Sequence, residues 1–88
     1  MYNNLSHITS WLQNGVKKIL LPLMKSFLTI SKTGKKVSDI NLIIGKKSFY
    51  TFGEDFIQVA ISKEEALNLP KSDILRIAKF KMYHELSH

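Results

Sequence analysis

The chain has 88 residues, 44% of them hydrophobic and 10% aromatic, which is enough for one small folded domain and too short for a two-lobed enzyme. Thirteen lysine and arginine residues against seven acidic ones leave a net charge of +6; Arg76 is the single arginine, so the excess reads as a hydrated lysine surface rather than as guanidinium forks for base or phosphate recognition. Cysteine is absent, which excludes disulfides, thiolate nucleophiles and cysteine-based zinc sites and leaves His, Asp and Glu as possible metal ligands.

Met1-Tyr2-Asn3-Asn4 supplies no charged start to a secretory signal, so the expectation is a cytoplasmic protein. From Ser6 to Ile30, apolar residues at Ile8, Trp11, Leu12, Val16, Ile19, Leu20, Leu23, Met24, Phe27 and Leu28 recur at helical spacing, with Lys17, Lys18 and Lys25 between them. This predicts an amphipathic helical segment within residues 1–32, capped by Ser6 and weakened at Gly15. Pro22 predicts a kink or a junction of two helices. The lysines interrupt the run before it is long enough to span a bilayer, so no transmembrane segment is expected. Trp11 on this face reads as core.

Ser31 to Ser38 is a polar, basic connection. The hydrophobic period then changes to two: Asp39–Ile44, Ser48–Phe52 and Phe56–Ile61 read as strands separated by Gly45-Lys46-Lys47 and Gly53-Glu54-Asp55, turns of hairpin length. The expectation for residues 37–61 is a three-stranded antiparallel β-meander with Ile57, Val59 and Ile61 on one face of its last strand. Phe49, Tyr50, Phe52 and Phe56, interleaved with Lys46 and Lys47, have the pattern of a single-strand stacking platform, but such alternation more commonly makes one core face and one half-buried face.

Residues 62–88 read as helices. Ser62-Lys63-Glu64-Glu65 fits a capping box opening a short helix that ends near Asn68 before Pro70. Pro70 or Ser72 then opens the last helix, with Asp73 in its first turn. Ile74, Ile77, Ala78 and Lys81 are helically spaced, and Ile77, Phe80, His84 and His88 form a neighbouring stripe. The fold class is therefore α+β, with N-terminal helices packed on the sheet and a C-terminal helix.

That last helix ends in His84-Glu85-Leu86-Ser87-His88, an HExxH sequence. On a helix the two histidines stand one turn apart on one face and can hold a zinc ion, with Glu85 beside them as general base. The alternative for the same residues is an ordinary solvated helix end. The order of elements and the stretch Phe49 to His88, including Phe49-Tyr50-Thr51, Ile57/Val59/Ile61 and Phe80 to His88, resemble the N-terminal part of compact gluzincin-like zinc metallopeptidases, of the ImmA/IrrE group or the von Willebrand-associated metallopeptidases.

The resemblance implies that His84 and His88 are zinc ligands and that Glu85 is the catalytic base moving a proton from water to the leaving amine. It also implies that the strand of Ile57, Val59 and Ile61 pairs with an extended peptide substrate. The family takes its third ligand from sequence after the second histidine, and no residue here follows His88. The upstream carboxylates Glu54, Asp55, Glu64, Glu65 and Asp73 are at no recognised spacing, and His7 reads as a surface residue. The expectation is a fragment of a larger metallopeptidase domain, bacterial or phage-like, inactive alone unless missing sequence or another chain completes the zinc shell. The other function class is a small basic binding module contacting nucleic acid or an acidic protein, as mobile-element proteins do.

Overall fold

The computed structural model describes residues 4–32, 34–50 and 53–87. It is α+β, with the order α1 (Leu5–Trp11), a π-helical turn (Leu12–Val16), α2 (Lys17–Ser31), β1 (Asp39–Ile44), β2 (Phe49–Tyr50), β3 (Phe56–Ile61), α3 (Lys63–Asn68) and α4 (Lys71–Leu86).

The first three elements form one continuous helical rod whose buried side chains are Ile8, Leu12, Val16, Leu20 and Met24, all at 1% exposure or less. These fall at strict intervals of four. In an α-helix of 3.6 residues per turn such a stripe drifts by about 40° per step, or about 160° from Ile8 to Met24. The π turn, in which the Lys17 N–H bonds to the Leu12 carbonyl, is wound more loosely and takes back part of that drift, which keeps the stripe on the core. Gly15 sits in this turn because a Cβ there would meet Trp11 Cδ1 at 3.1 Å.

Two sequence expectations are corrected here. Two helices do not meet at Pro22, which lies exposed inside α2; the departure from α geometry comes a turn and a half earlier, at the π turn. The cap is Asn4 rather than Ser6, with Asn4 Oδ1 accepting from the N–H groups of Ser6 at 2.9 Å and His7 at 3.4 Å. The rod ends at Lys32, a non-glycine residue in the left-handed region at φ 51°.

The sheet has three strands in the order β1-β3-β2 and is mixed, not an antiparallel meander. β1 runs parallel to β3 from Asp39↔Phe56 to Ile44↔Ile61, and β2 pairs antiparallel with β3 through Phe49↔Gln58 and Tyr50↔Ile57. The physical reason is side-chain matching. Parallel pairing places Ile40, Leu42 and Ile44 level with Ile57, Val59 and Ile61, so one face of both strands is continuously apolar under the helices. Residues 45–48 therefore do not make a hairpin. They carry the chain past the end of β3, where Gly45 N–H bonds to the Ile61 carbonyl at 2.9 Å and Ser48 Oγ accepts from Ala60 N–H at 2.9 Å. Thr51 and Phe52, expected to extend β2, lie outside the described residues.

The helices cover one face of the sheet. The other carries Asn41, whose Nδ2 donates to Gln58 Oε1 at 3.1 Å, and Gln58 Nε2 in turn donates to the Lys47 carbonyl at 3.1 Å.

The capping box forms as expected. Ser62 Oγ accepts from Glu65 N–H at 3.1 Å and Glu65 Oε1 accepts from Ser62 N–H at 3.0 Å. Pro70 caps α4, whose buried stripe is Ile74, Ala78, Met82 and Leu86, all at 0% exposure. Phe27 and Tyr83 join α2 to α4 at 5.4 Å between ring centroids. No described helix is long and apolar enough to cross a membrane.

Candidate functional site

Of the HExxH residues, His84 and Glu85 lie on the last turns of α4. Leu86 points into the core, so the helix is anchored up to that residue. At about 100° per residue, His84 lies roughly opposite the line through Met82, and it is exposed, its imidazole stacked on the Phe80 ring at 6.4 Å and 14°. Phe80 is itself 71% exposed, which leaves an apolar and aromatic surface beside His84. Glu85 is half-buried. His88 lies outside the described residues, so the second half of the motif has no described position.

Glu85 follows Lys81 by one turn and shares its flank of α4. Lys81 fixes which flank that is. Its ammonium reaches the Ala60 carbonyl at 2.8 Å and Glu65 Oε1 at 3.2 Å. Ala60 directs its N–H to Ser48, on the β2 side of β3, so this flank faces the β2 edge of the sheet.

A second lysine closes the end of the helix. Lys35 Nζ donates to the Leu86 carbonyl at 2.7 Å and lies 5.6 Å from the centroid of the Tyr50 ring on β2, which suits a cation at a helix C-terminus. The C-terminal end of α4 and strand β2 are thus joined through Lys35.

The strand assigned to substrate does not have the geometry expected of it. β3 is the central strand, paired on both sides, and Ile57, Val59 and Ile61 are at 0% exposure in the core. The strand bordering the His84 and Glu85 flank is β2. The expectation took β3 for the edge of a meander, whereas it lies between β1 and β2.

The upstream carboxylates are engaged elsewhere or distant in the fold. Asp73 pairs with Arg76 at 2.8 Å, Glu65 serves the capping box, and Glu64 is exposed in the first turn of α3. Glu54 and Asp55 are exposed in the turn before β3, where the Asp55 carbonyl accepts from Ser38 N–H at 2.7 Å and Asp39 N–H at 3.1 Å. His7 is exposed in the first turn of α1. Among the described residues no three His, Asp or Glu side chains converge.

Two electrostatic perturbations stand out. Glu65 is held below its ordinary value first by the Ser62 N–H, with Ser62 Oγ and Lys81 adding to it against the effect of burial. Asp39 is lowered first by its bond to Lys17, whose ammonium is 2.9 Å away. Glu65 borders the Lys81 flank of α4, and Asp39 lies at the start of β1. Lys35 and Lys81 are the residues that sequence reasoning missed. Lys81 was visible as a lysine set into the apolar spacing of Ile74, Ile77 and Ala78; Lys35, in a loop, carried no signal.

No family model, curated protein or solved structure matches this chain.

Proposed function

We propose that the chain carries the first half of a zinc-hydrolase site, with His84 and His88 as metal ligands and Glu85 as the general base of a metallopeptidase centre. The observation that carries this reading is the placement of His84 and Glu85 on a well-anchored helix, away from its core stripe, with Glu85 on the flank that faces the short antiparallel edge strand β2. A peptide laid along that edge strand would pass beside the base, as an HExxH helix requires.

The donor set fits half of a zinc shell. His84 offers an exposed imidazole and Glu85 an adjacent carboxylate, while the described residues bring no further ligand to them. Zinc held there would supply Lewis acidity to polarise a scissile carbonyl and acidify water. The protein's own part is to hold Glu85 one turn from Lys81 and to anchor the helix end through Leu86 and Lys35. The Lys35 ammonium on the Leu86 carbonyl, two residues from His84, opposes a divalent cation, so a stable shell requires a ligand from beyond these elements or from another chain.

Zinc titration with a chromogenic competitor tests the reading. The wild-type protein should bind one zinc weakly, with a dissociation constant on the order of 10 to 100 µM, and show little hydrolysis of an unfolded protein substrate. His84→Ala should lose the zinc while keeping its circular dichroism. Equal zinc uptake by the two proteins sinks the proposal.

A further inference from the structure

Among the described residues β1 is an edge strand, paired on one side only. Asp39 and Gly45 direct their N–H groups to β3, bonding the carbonyls of Asp55 at 3.1 Å and Ile61 at 2.9 Å. Alternation along the strand then turns the N–H and C=O groups of Ile40, Leu42 and Ile44 to the outer rim. The first of these N–H groups, on Ile40, is taken at 2.9 Å by Asp39 Oδ1, which Lys17 holds at 2.9 Å. Among the described residues no strand pairs with β1 on this side, which leaves Leu42 and Ile44 to bond a partner. The sequence Asp39-Ile-Asn-Leu-Ile-Ile44 contains none of the lysines, prolines or bulges that commonly blunt an edge.

We propose that this rim is where two copies of the chain associate, antiparallel about a two-fold axis through Ile43, to make one six-stranded sheet. Three observations favour a second copy over a foreign peptide. The first is register. Pairing Leu42 with Ile44 of the second copy matches the outward N–H and C=O groups of both residues and keeps both helical layers on one side of the joined sheet, because opposed residues share a face.

The second is side-chain matching. In that register Ile43, half-buried on the face away from the helices, lies opposite Ile43 of the second copy, and a β-branched pair on a sheet is favourable. The third is charge. The strand begins at Asp39 and is followed by Lys46 and Lys47, so antiparallel alignment brings the acidic start of each strand to the basic exit of the other. A single pair of edge strands joins the copies, so the association is weak and concentration-dependent.

Sedimentation equilibrium on the 88-residue protein, from about 10 to 500 µM, should show the mass rising from 10.1 kDa towards twice that value. Amide exchange at Leu42 and Ile44 should slow as concentration increases. Ile43→Lys puts two ammonium groups opposite each other across the axis and should weaken association at least about ten-fold, while Ile43→Val keeps it within about two-fold. A wild-type protein that stays monomeric across the range overturns the proposal, as does a folded Ile43→Lys protein that dimerises like the wild type. If Ile43→Lys does not fold, the wild-type exchange data decide, and exchange at Leu42 and Ile44 independent of concentration also overturns it.

Discussion

Replacing Glu65 by alanine tests whether the junction of β3, α3 and α4 is held as described. Glu65 accepts from Ser62 N–H at 3.0 Å and from Lys81 Nζ at 3.2 Å. Losing the return bond of the capping box costs about 1 kcal/mol. The ion pair, with both side chains about 30% exposed, adds about 0.5 kcal/mol after screening by solvent. The expected loss is thus about 1.5 kcal/mol, which for a domain of this size lowers the melting temperature by roughly 6 to 12 °C. In a urea-denaturation cycle with Lys81→Met, the coupling between the two positions should be about 0.5 kcal/mol.

The same variant has a pH signature. The folded-state carboxyl of Glu65 titrates below its ordinary value of 4.5, so its stabilising contribution is complete above that pH and is lost as the pH falls through the lowered value. The gap between wild type and Glu65→Ala should therefore narrow in acid. A gap under about 0.3 kcal/mol at neutral pH, or one that widens in acid, would refute the reasoning.

Other substitutions probe the ends of the two long helices. Leu86 is at 0% exposure in the last turn of α4, so Leu86→Ala should cost about 2 to 4 kcal/mol in chemical denaturation; a loss below about 1 kcal/mol would mean that the turn carrying His84 and Glu85 is frayed. Lys32 holds a left-handed conformation that costs a non-glycine residue about 1 kcal/mol, so Lys32→Gly should stabilise the protein by about 0.5 kcal/mol after the entropy gained by the unfolded chain. No change or a loss in thermal melting would contradict that assignment.

The N-terminal helical stripe, the capping box and the final helix as far as Leu86 were legible in the sequence because each is set by residues within a few positions of one another. The π turn was only half visible. The interval of four from Ile8 to Met24 signalled it, yet Pro22 drew attention as the stronger local breaker. The strand order was not legible. Gly45-Lys46-Lys47 has hairpin length, but pairing is decided by the apolar match of Ile40, Leu42 and Ile44 to residues seventeen positions on, which no local turn reports. The same misreading put the substrate role on Ile57, Val59 and Ile61. Of the candidate site, the sequence identified His84 and Glu85 but not Lys35, Lys81 and Tyr50 around them, because those contacts arise between elements.

The middle position of β3 also sets the order in which the sheet can assemble. β1 and β2 are adjacent in sequence but share no hydrogen bonds, so the first two strands cannot zip together while the third is still unformed. A folding chain must wait for residues 56–61 to insert between them, closing a long loop to β1 and a short one to β2. The β2–β3 pairing closes the shorter of the two loops and so carries the smaller entropic cost.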